Sequence, residues 1–330
     1  MLKIIVDCMG GDNGPTPIIA AIKNFLKEHK DVEVIAVGKL EELRELDGIC
    51  RIIDAPDVVP MTAGALDVLR LKNSSMMVAL RTMKEEGIDA AISCGSTGGF
   101  LASATITLKM IPGIKRAALV TAIPSLESGK YMTLLDCGAN NENTAEELCQ
   151  FALMGRLYAQ AVHGNLDPKT YLLSNGSEDE KGLPEIKEAN RLLRERNFPN
   201  FMGNIEGRDA LLEPEIDVLV TGGYTGNIYL KGIEGTAKMM SSLLKDAFKM
   251  NLSTKIGYLL SRKGVNAMKN KMDYKAVGGA LLLGINGIVV KAHGNSDAKS
   301  FGSALNLARK MAASDTVNKI KEGIESEGSK

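Results

Sequence analysis

The chain has 330 residues, of which 45% are apolar and 24% charged, as expected of a globular protein with a substantial core. Its 40 lysines and arginines balance its 40 aspartates and glutamates, so the chain as a whole has no general attraction for polyanions. Tryptophan is absent and aromatic residues make up only 4%, so nothing in the composition suggests an aromatic platform for single-stranded nucleic acid. We therefore expect no nucleic-acid partner.

The cysteines and the amino terminus indicate a protein of the reducing cytoplasm. The five cysteines are odd in number and form no CxxC pair, which favours neither a disulfide framework nor a zinc site. Cys8, Cys94 and Cys137 fall near the ends of predicted strands, but no histidine partner for a thiol nucleophile is identifiable. The apolar run over 2–6 is too short for a signal peptide, and no run of about 18 apolar residues could span a membrane.

A short β-branched run, a turn rich in glycine and asparagine, and a helical pattern recur in this order along the chain. The first unit has a strand over 2–6, a turn over 7–14 and a helix from about Pro15, a residue suited to a first helical turn. Before a later helix, Thr144 and Glu147 form a capping box. The alternation predicts a three-layer α/β/α fold with a largely parallel sheet, formed by a single domain over 1–330. Further strands are predicted over 32–37, 51–53, 90–93, 132–135, 171–173, 218–220 and 288–290.

The polar turns after these strands predict one site assembled from distant segments, because ligands of such sheets bind outside the carboxyl ends of the strands. Glycine lets the backbone approach an anion, and a helix that follows adds unpaired N–H groups. The turns over 96–99 and 225–227 fit this use, although any turn between a strand and a helix favours glycine. Neither a GxGxxG fingerprint nor a GxxxxGK[ST] loop is present, so dinucleotide and P-loop nucleotide sites lose their main support.

Two basic residues in turns are further candidates. Lys181 lies in a polar loop after the strand over 171–173 and could neutralise a phosphate or a developing oxyanion, although its spacing alone favours a solvated lysine among acids. His293 follows the strand over 288–290 and could titrate near neutrality, although a histidine in a turn is more often structural.

The segment from about 233 to 275 predicts a projecting, amphipathic and basic element. Apolar residues from Ile233 to Phe248 recur at helical spacing, so that one face packs or inserts. Between Lys245 and Lys275, eight basic residues stand against two acidic ones, a net charge of +6. Such a surface suits an acidic protein partner or an anionic membrane. Alternatively, the segment is a dimer arm with a solvated basic rim. A binding surface and a dimer arm are compatible with each other.

Taken in order, several motifs resemble those of the phosphate:acyl-ACP acyltransferases (the PlsX family), and they cover nearly the whole chain. The first is Ile5-Val6-Asp7-Cys8-Met9-Gly10-Gly11-Asp12-Asn13 at the amino terminus. The others lie at Asn73–Met76, Gly95–Gly98, Ile111–Ile114, Asp136–Asn140, Gly203–Asp209, Gly226–Asn227, Gly279–Gly287 and Lys291–Gly294.

The resemblance implies a fold related to isocitrate and isopropylmalate dehydrogenases and to phosphotransacetylase, used without a cofactor. It implies a homodimer that moves a fatty acyl group from acyl carrier protein (ACP) to inorganic phosphate for phospholipid synthesis. It also implies peripheral association with an anionic membrane through the segment over 233–275. The catalytic roles fall on Lys181 and Asn227. Phosphate or substrate binding is expected of the turns, through Gly10, Gly11, Asp12, Gly95, Ser96, Thr97, Gly98, Asp136, Asn140, Thr225, Gly226 and His293.

Three other functions remain open at this point. A phosphotransacylase would use acyl-CoA in place of acyl-ACP. A protein that binds acyl-phosphate or a membrane without catalysis would keep the pocket and lose turnover. A dehydrogenase rests on analogy of fold alone, and fold does not determine function.

Overall fold

The computed structural model describes residues 1–127, 129–271 and 278–328, and within them eleven strands form one sheet. The strands are β1 (Leu2–Asp7), β2 (Val32–Gly38), β3 (Arg51–Asp54), β4 (Ala90–Ser93), β5 (Ala118–Pro124), β6 (Tyr131–Leu135), β7 (Thr170–Ser174), β8 (Phe201–Glu206), β9 (Val218–Val220), β10 (Ala280–Leu283) and β11 (Ile288–Lys291). Their order across the sheet is β3-β2-β1-β4-β11-β10-β5-β6-β9-β7-β8. Most ladders are parallel, as predicted, whereas β5, β8 and β10 were not predicted as strands.

Helices cover both faces of this sheet. Successive side chains of a strand point to opposite faces, so Ile4 and Val6 enter one apolar cluster and Ile5 enters the other. The helices are α1 (Thr16–Glu28), α2 (Leu40–Leu43), α3 (Ala65–Arg70), α4 (Ser75–Glu86), α5 (Thr97–Leu108), α6 (Ala145–His163), α7 (Pro184–Glu195), α8 (Gly207–Leu212), α9 (Gly223–Lys249), α10 (Leu252–Lys271), α11 (Ala298–Ala313) and α12 (Thr316–Gly328). The first cluster contains residues of α1, α6, α7, α11 and α12, and the second contains residues of α3, α4, α5 and α8. The predicted three-layer α/β/α fold is confirmed.

Strand direction changes within the sheet, and this change decides where a ligand can bind. The ladders β11–β10, β10–β5 and β5–β6 are antiparallel. As a result β6, β7, β8 and β9 run opposite to β1, β2, β3, β4 and β11. The turns that follow the two groups lie at opposite ends of the strands, so they can meet only across a face of the sheet.

The predicted projecting arm is a hairpin of α9 and α10. Of the residues in α9 only Gly223 and Gly226 are buried, both in its first turn. Near the hairpin turn, the rings of Phe248 and Tyr258 lie 5.2 Å apart. Two of the charges counted in the segment over 245–275, Asp273 and Lys275, lie outside the described residues. Within the described ranges, every helix is too short or too polar to cross a bilayer. Large apolar side chains exposed on the arm include Met239, Leu243, Met250, Leu252, Leu259 and Leu260.

Candidate functional site

A cleft of about 1190 Å³ lies over the face of the sheet at β5 and β10, between the start of α5 and one side of α9. Asn227, Leu230, Lys231 and Glu234 line it together, because residues three, four and seven positions apart share one face of a helix. Its volume exceeds the range of about 300–1,000 Å³ that is usual for small-molecule sites. The cleft therefore has room for a ligand much larger than inorganic phosphate.

One end of the cleft is formed by the start of α5 and the turn after β11. Thr97 and Gly98 line it at the first turn of α5. The hydroxyl of Ser96 accepts a hydrogen bond from the N–H of Gly99 at 3.4 Å and donates to the carbonyl of Ala63 at 3.0 Å. The residues of this first turn thus border the cleft at the positive end of the helix dipole, an arrangement that suits an anion.

The predicted turns after β1, β4 and β11 pack against one another behind this end. Gly11 has φ +95°, and a Cβ there would lie 2.8 Å from Cys94 Sγ and 2.9 Å from the carbonyl oxygen of Gly294. The N–H of Asp12 donates to that same carbonyl at 2.8 Å. A Cβ on Gly10 would lie 2.6 Å from the amide nitrogen of Gly95. These turns support the wall of the cleft; Gly10, Gly11, Asp12 and Gly95 are not among the residues that line it.

A buried carboxylate ties the same turns together. Asp7, 1% exposed at the end of β1, accepts the hydroxyls of Ser75 and Ser93, both at 2.6 Å. It also accepts the N–H of Met9 at 3.2 Å. Burial raises the pKa of Asp7, and these hydrogen bonds oppose the rise. Through these hydrogen bonds, Asp7 joins the end of β1 to β4 and to the start of α4.

Lys291 is a residue of the cleft that sequence analysis did not select. It is 7% exposed at the end of β11, lines the cleft, and donates from Nζ to the carbonyl of Ala292. Burial lowers its pKa to about 8, with nearby Cys94 and Asp7 opposing that fall. A lysine that ends an otherwise apolar, β-branched strand was the available signal, because charged side chains are seldom buried without a partner.

Lys231 and His293 stand at the same end. Lys231 Nζ lies 2.7 Å from a carboxylate oxygen of Glu234, whose other oxygen is 4.0 Å from His293 Nε2. Arg208 and Lys271 also line the cleft. Among the lining residues that the structure describes, Glu234 alone is acidic, so the cleft carries an excess of cationic groups.

Asn227 is held by close contact between α9 and the turn after β6. The carboxylate of Asp136, fully buried, accepts the N–H groups of Leu119 at 2.9 Å and Ala139 at 2.9 Å. The side-chain amide of Asn140 donates to the same carboxylate at 2.7 Å. A Cβ on Gly226 would lie 1.9 Å from the carbonyl oxygen of Asp136, so helix and turn meet backbone to backbone. Asp136, Asn140, Thr225 and Gly226 do not line the cleft, and their substrate contacts stay a prediction.

Lys181 does not line the cleft that Asn227 lines. It is exposed on the loop after β7, the neighbour of β9 in the sheet. Its carbonyl accepts the side-chain amide of Asn204 at 3.3 Å, and Asn204 also donates to the carbonyl of Glu178 at 2.8 Å. The catalytic role of Lys181 therefore stays a prediction that rests on the resemblance.

The buried thiols are poor nucleophiles. Burial raises the pKa of Cys94 to about 12 and places those of Cys8 and Cys137 well above the ordinary value. A thiol with a raised pKa forms little of the reactive thiolate near neutral pH. In the described ranges, no group of three or more histidine, cysteine or acidic side chains is placed to hold a metal ion.

Apolar side chains line the rest of the cleft, towards the arm. They come from β5 and the segment after it, from α8, and from the facing sides of α9 and α10. The ammonium group of Lys271 donates to the carbonyl of Leu126, which joins α10 to the body of the protein. This apolar part is lined by Leu119, Ile123, Leu126, Leu211, Leu212, Leu230, Ile233, Ala237 and Met268.

Comparison with known proteins assigns the chain to a family. Residues 2–319 match a family model described as a fatty acid synthesis protein. A phosphate acyltransferase of Thermoanaerobacter pseudethanolicus is 40% identical over 335 residues, covering 99% of this chain and 98% of the relative.

Solved structures share the fold at low sequence identity. A phosphotransacetylase from Streptococcus pyogenes superposes with a TM-score of 0.61 at 19% identity, over 95% of this chain and 94% of its own. A 4-hydroxythreonine-4-phosphate dehydrogenase from Klebsiella pneumoniae gives 0.56 at 14% identity, over 94% of this chain and 99% of its own. The predicted kinship of fold with phosphotransacetylase and with dehydrogenases is confirmed. Because the chain is 40% identical to a phosphate acyltransferase over 99% of its length and the family model matches residues 2–319, it belongs to the phosphate acyltransferase family.

Proposed function

We propose that this protein transfers a fatty acyl group from acyl-ACP to inorganic phosphate, giving an acyl-phosphate for phospholipid synthesis. The observation that supports this most directly is the composition of the cleft. One end, bordered by Lys231, Lys291 and the first turn of α5, is continuous with a long apolar part. Inorganic phosphate suits the cationic end, and an acyl chain suits the apolar part. The thioester carbonyl would therefore lie where the cationic end and the apolar part meet.

The reaction needs no covalent intermediate on the enzyme. An oxygen of hydrogen phosphate attacks the thioester carbonyl carbon, and the carbonyl oxygen becomes an oxyanion. The C–S bond then breaks, and the proton of the phosphate hydroxyl passes to the departing sulfur, giving acyl-phosphate and free thiol. Asn227 lies beside Gly138 and lines the cleft, and in this proposal its side-chain amide donates a hydrogen bond to the oxyanion. Alignment of phosphate and thioester supplies much of the acceleration that such a reaction needs.

The arm fits three further parts of the proposal: docking of ACP, contact with an anionic membrane, and a homodimer. Its exposed apolar side chains include Leu259 at 67% and Leu260 at 85% exposure, among lysines and arginines of α10. ACP and anionic lipid head groups are both acidic, and a basic amphipathic helix attracts either. Flotation with vesicles that contain phosphatidylglycerol tests the membrane contact. Failure of the protein to float with such vesicles contradicts it.

Parallel kinetics with two donors test the proposed reaction. Palmitoyl-ACP and palmitoyl-CoA are each incubated with the protein and phosphate, and acyl-phosphate is trapped with hydroxylamine. We expect faster product formation from palmitoyl-ACP. A preference for palmitoyl-CoA would instead identify a phosphotransacylase. Binding of both donors without turnover would indicate the non-catalytic alternative. Lys181→Ala and Asn227→Ala should each abolish the product, and normal turnover would remove that residue from the site.

A further inference from the structure

We propose that Lys291 and Lys231, from opposite walls of the cleft, bind the inorganic phosphate that attacks the thioester. This inference rests on the proposed function and identifies the groups that hold its nucleophile. Neither lysine was selected from the sequence as a site residue. The lysine that the resemblance favours for neutralising phosphate is Lys181, which does not line the cleft.

Lys291 is a buried cation, and among the described residues no carboxylate forms an ion pair with it. An ammonium group has three N–H donors, and the hydrogen bond found for Lys291 goes to the carbonyl of Ala292. Asp7, a buried carboxylate that acts electrostatically on Lys291, accepts the hydroxyls of Ser75 and Ser93. Burial disfavours the charged form of an amine that has no counter-ion, and this is why the pKa of Lys291 is lowered. A bound dianion would supply the missing partner.

Lys231 approaches from α9 on the opposite wall. Its side chain is 58% exposed, whereas that of its partner Glu234 is 12% exposed, so the ion pair is only partly screened by solvent. Lys231 can contact a phosphate oxygen while it keeps this pair, because an ammonium group has three N–H donors. The charges of Lys231 and Lys291 are close enough that Lys231 contributes to the lowered pKa of Lys291. Two cations that repel each other across a cleft are drawn together by an anion between them.

The amides at the start of α5 complete the arrangement. Thr97 and Gly98 line the same end of the cleft as Lys291 and His293. A Cβ added to Gly98 would meet no atom within 4 Å, so the space beside its Cα is open. Phosphate oxygens could thus accept hydrogen bonds from backbone on one side and from two ammonium groups on the other. Carbonyl carbon and phosphate would then meet near Asn227, at the start of the apolar part.

Steady-state kinetics of charge-removing variants test this assignment. We expect Lys291→Gln and Lys231→Gln each to raise the KM for inorganic phosphate about tenfold or more, because each removes a charge-assisted hydrogen bond. The KM for the palmitoyl donor should change by less than about twofold. Lys291→Arg should retain more phosphate affinity than Lys291→Gln, since it keeps the charge. Lys238→Gln is the matched control, because Lys238 is an exposed lysine of α9 outside the cleft.

The KM for phosphate and the KM for the acyl donor, compared in the same variants, decide the proposal. An unchanged KM for phosphate in a folded Lys291→Gln protein overturns the proposal, and so does a rise confined to the KM for the donor. The latter result would place the donor's own phosphate group at these lysines. If Lys291→Gln lowers the melting temperature too far for assay, Lys231→Gln decides alone. Calorimetric titration of wild-type protein and variants with inorganic phosphate separates this inference from the proposed function, because it needs no turnover.

Discussion

Gly226→Ala tests whether close packing of α9 on the β6 turn positions the cleft. The new Cβ would lie 1.9 Å from the carbonyl oxygen of Asp136, whereas ordinary contact begins at 3.4 Å, so the start of α9 must retreat by about 1.5 Å. Overpacking of this kind costs about 1–3 kcal/mol of folding free energy. The retreat also carries Asn227 and Lys231 away from their places, and a displacement of about 1 Å can cost about 10²-fold in rate.

The assay compares melting temperature and acyl-phosphate formation for Gly226→Ala and a matched control. Gly235→Ala lies on the same helix, where an added Cβ meets nothing within 4 Å. It should stabilise the protein by about 0.5–1 kcal/mol, because alanine loses less conformational entropy in a helix than glycine. We expect Gly226→Ala to melt lower and to lose about 10²-fold in kcat/KM. If its activity and melting temperature equal those of wild type, the close contact between helix and turn does not position the site.

Three further predictions concern the acyl chain, pH and the thiols. Ala237→Phe should narrow the apolar part of the cleft and lower kcat/KM for palmitoyl donors more than for butyryl donors, with phosphate KM unchanged; equal losses for both would contradict this. As pH rises through about 8, Lys291 loses its proton, so kcat/KM for phosphate should fall, and this fall should be absent in Lys291→Arg. Among the described residues, the charged and titratable groups that act on Lys291 from neighbouring elements include Asp7, Asp12, Cys94 and Lys231. Iodoacetamide at neutral pH should leave activity intact because the buried thiols have raised pKa values; rapid inactivation that Cys94→Ala prevents would refute that account.

Elements whose structure depends on residues close together in the chain could be predicted from the sequence. The first strand was expected over 2–6 and spans Leu2–Asp7, and the capping box of Thr144 and Glu147 is formed in both directions, at 3.3 and 2.9 Å. The amphipathic segment from Ile233 onwards became the hairpin of α9 and α10. In each case the pattern of neighbouring residues is itself the cause of the structure.

Other features depend on pairing between distant segments. The strands β5 and β10 were missed, and they are the strands whose antiparallel ladders reverse the sheet. Short apolar runs cannot be assigned to strand or helix by periodicity alone, and nothing local specifies the direction of a strand. The position of Lys291 opposite Lys231 depends on that reversal. The motif Lys291–Gly294 was identified, but which of its side chains enters the cleft could be read only from the fold.

Direct attack of phosphate on the thioester is tested most directly by measuring free thiol and trapped acyl-phosphate together, with phosphate present and absent. Direct attack predicts equal amounts of both products when phosphate is present, and neither when it is absent. Thiol released without phosphate, either as a burst equal to the enzyme or as continued hydrolysis, would contradict it.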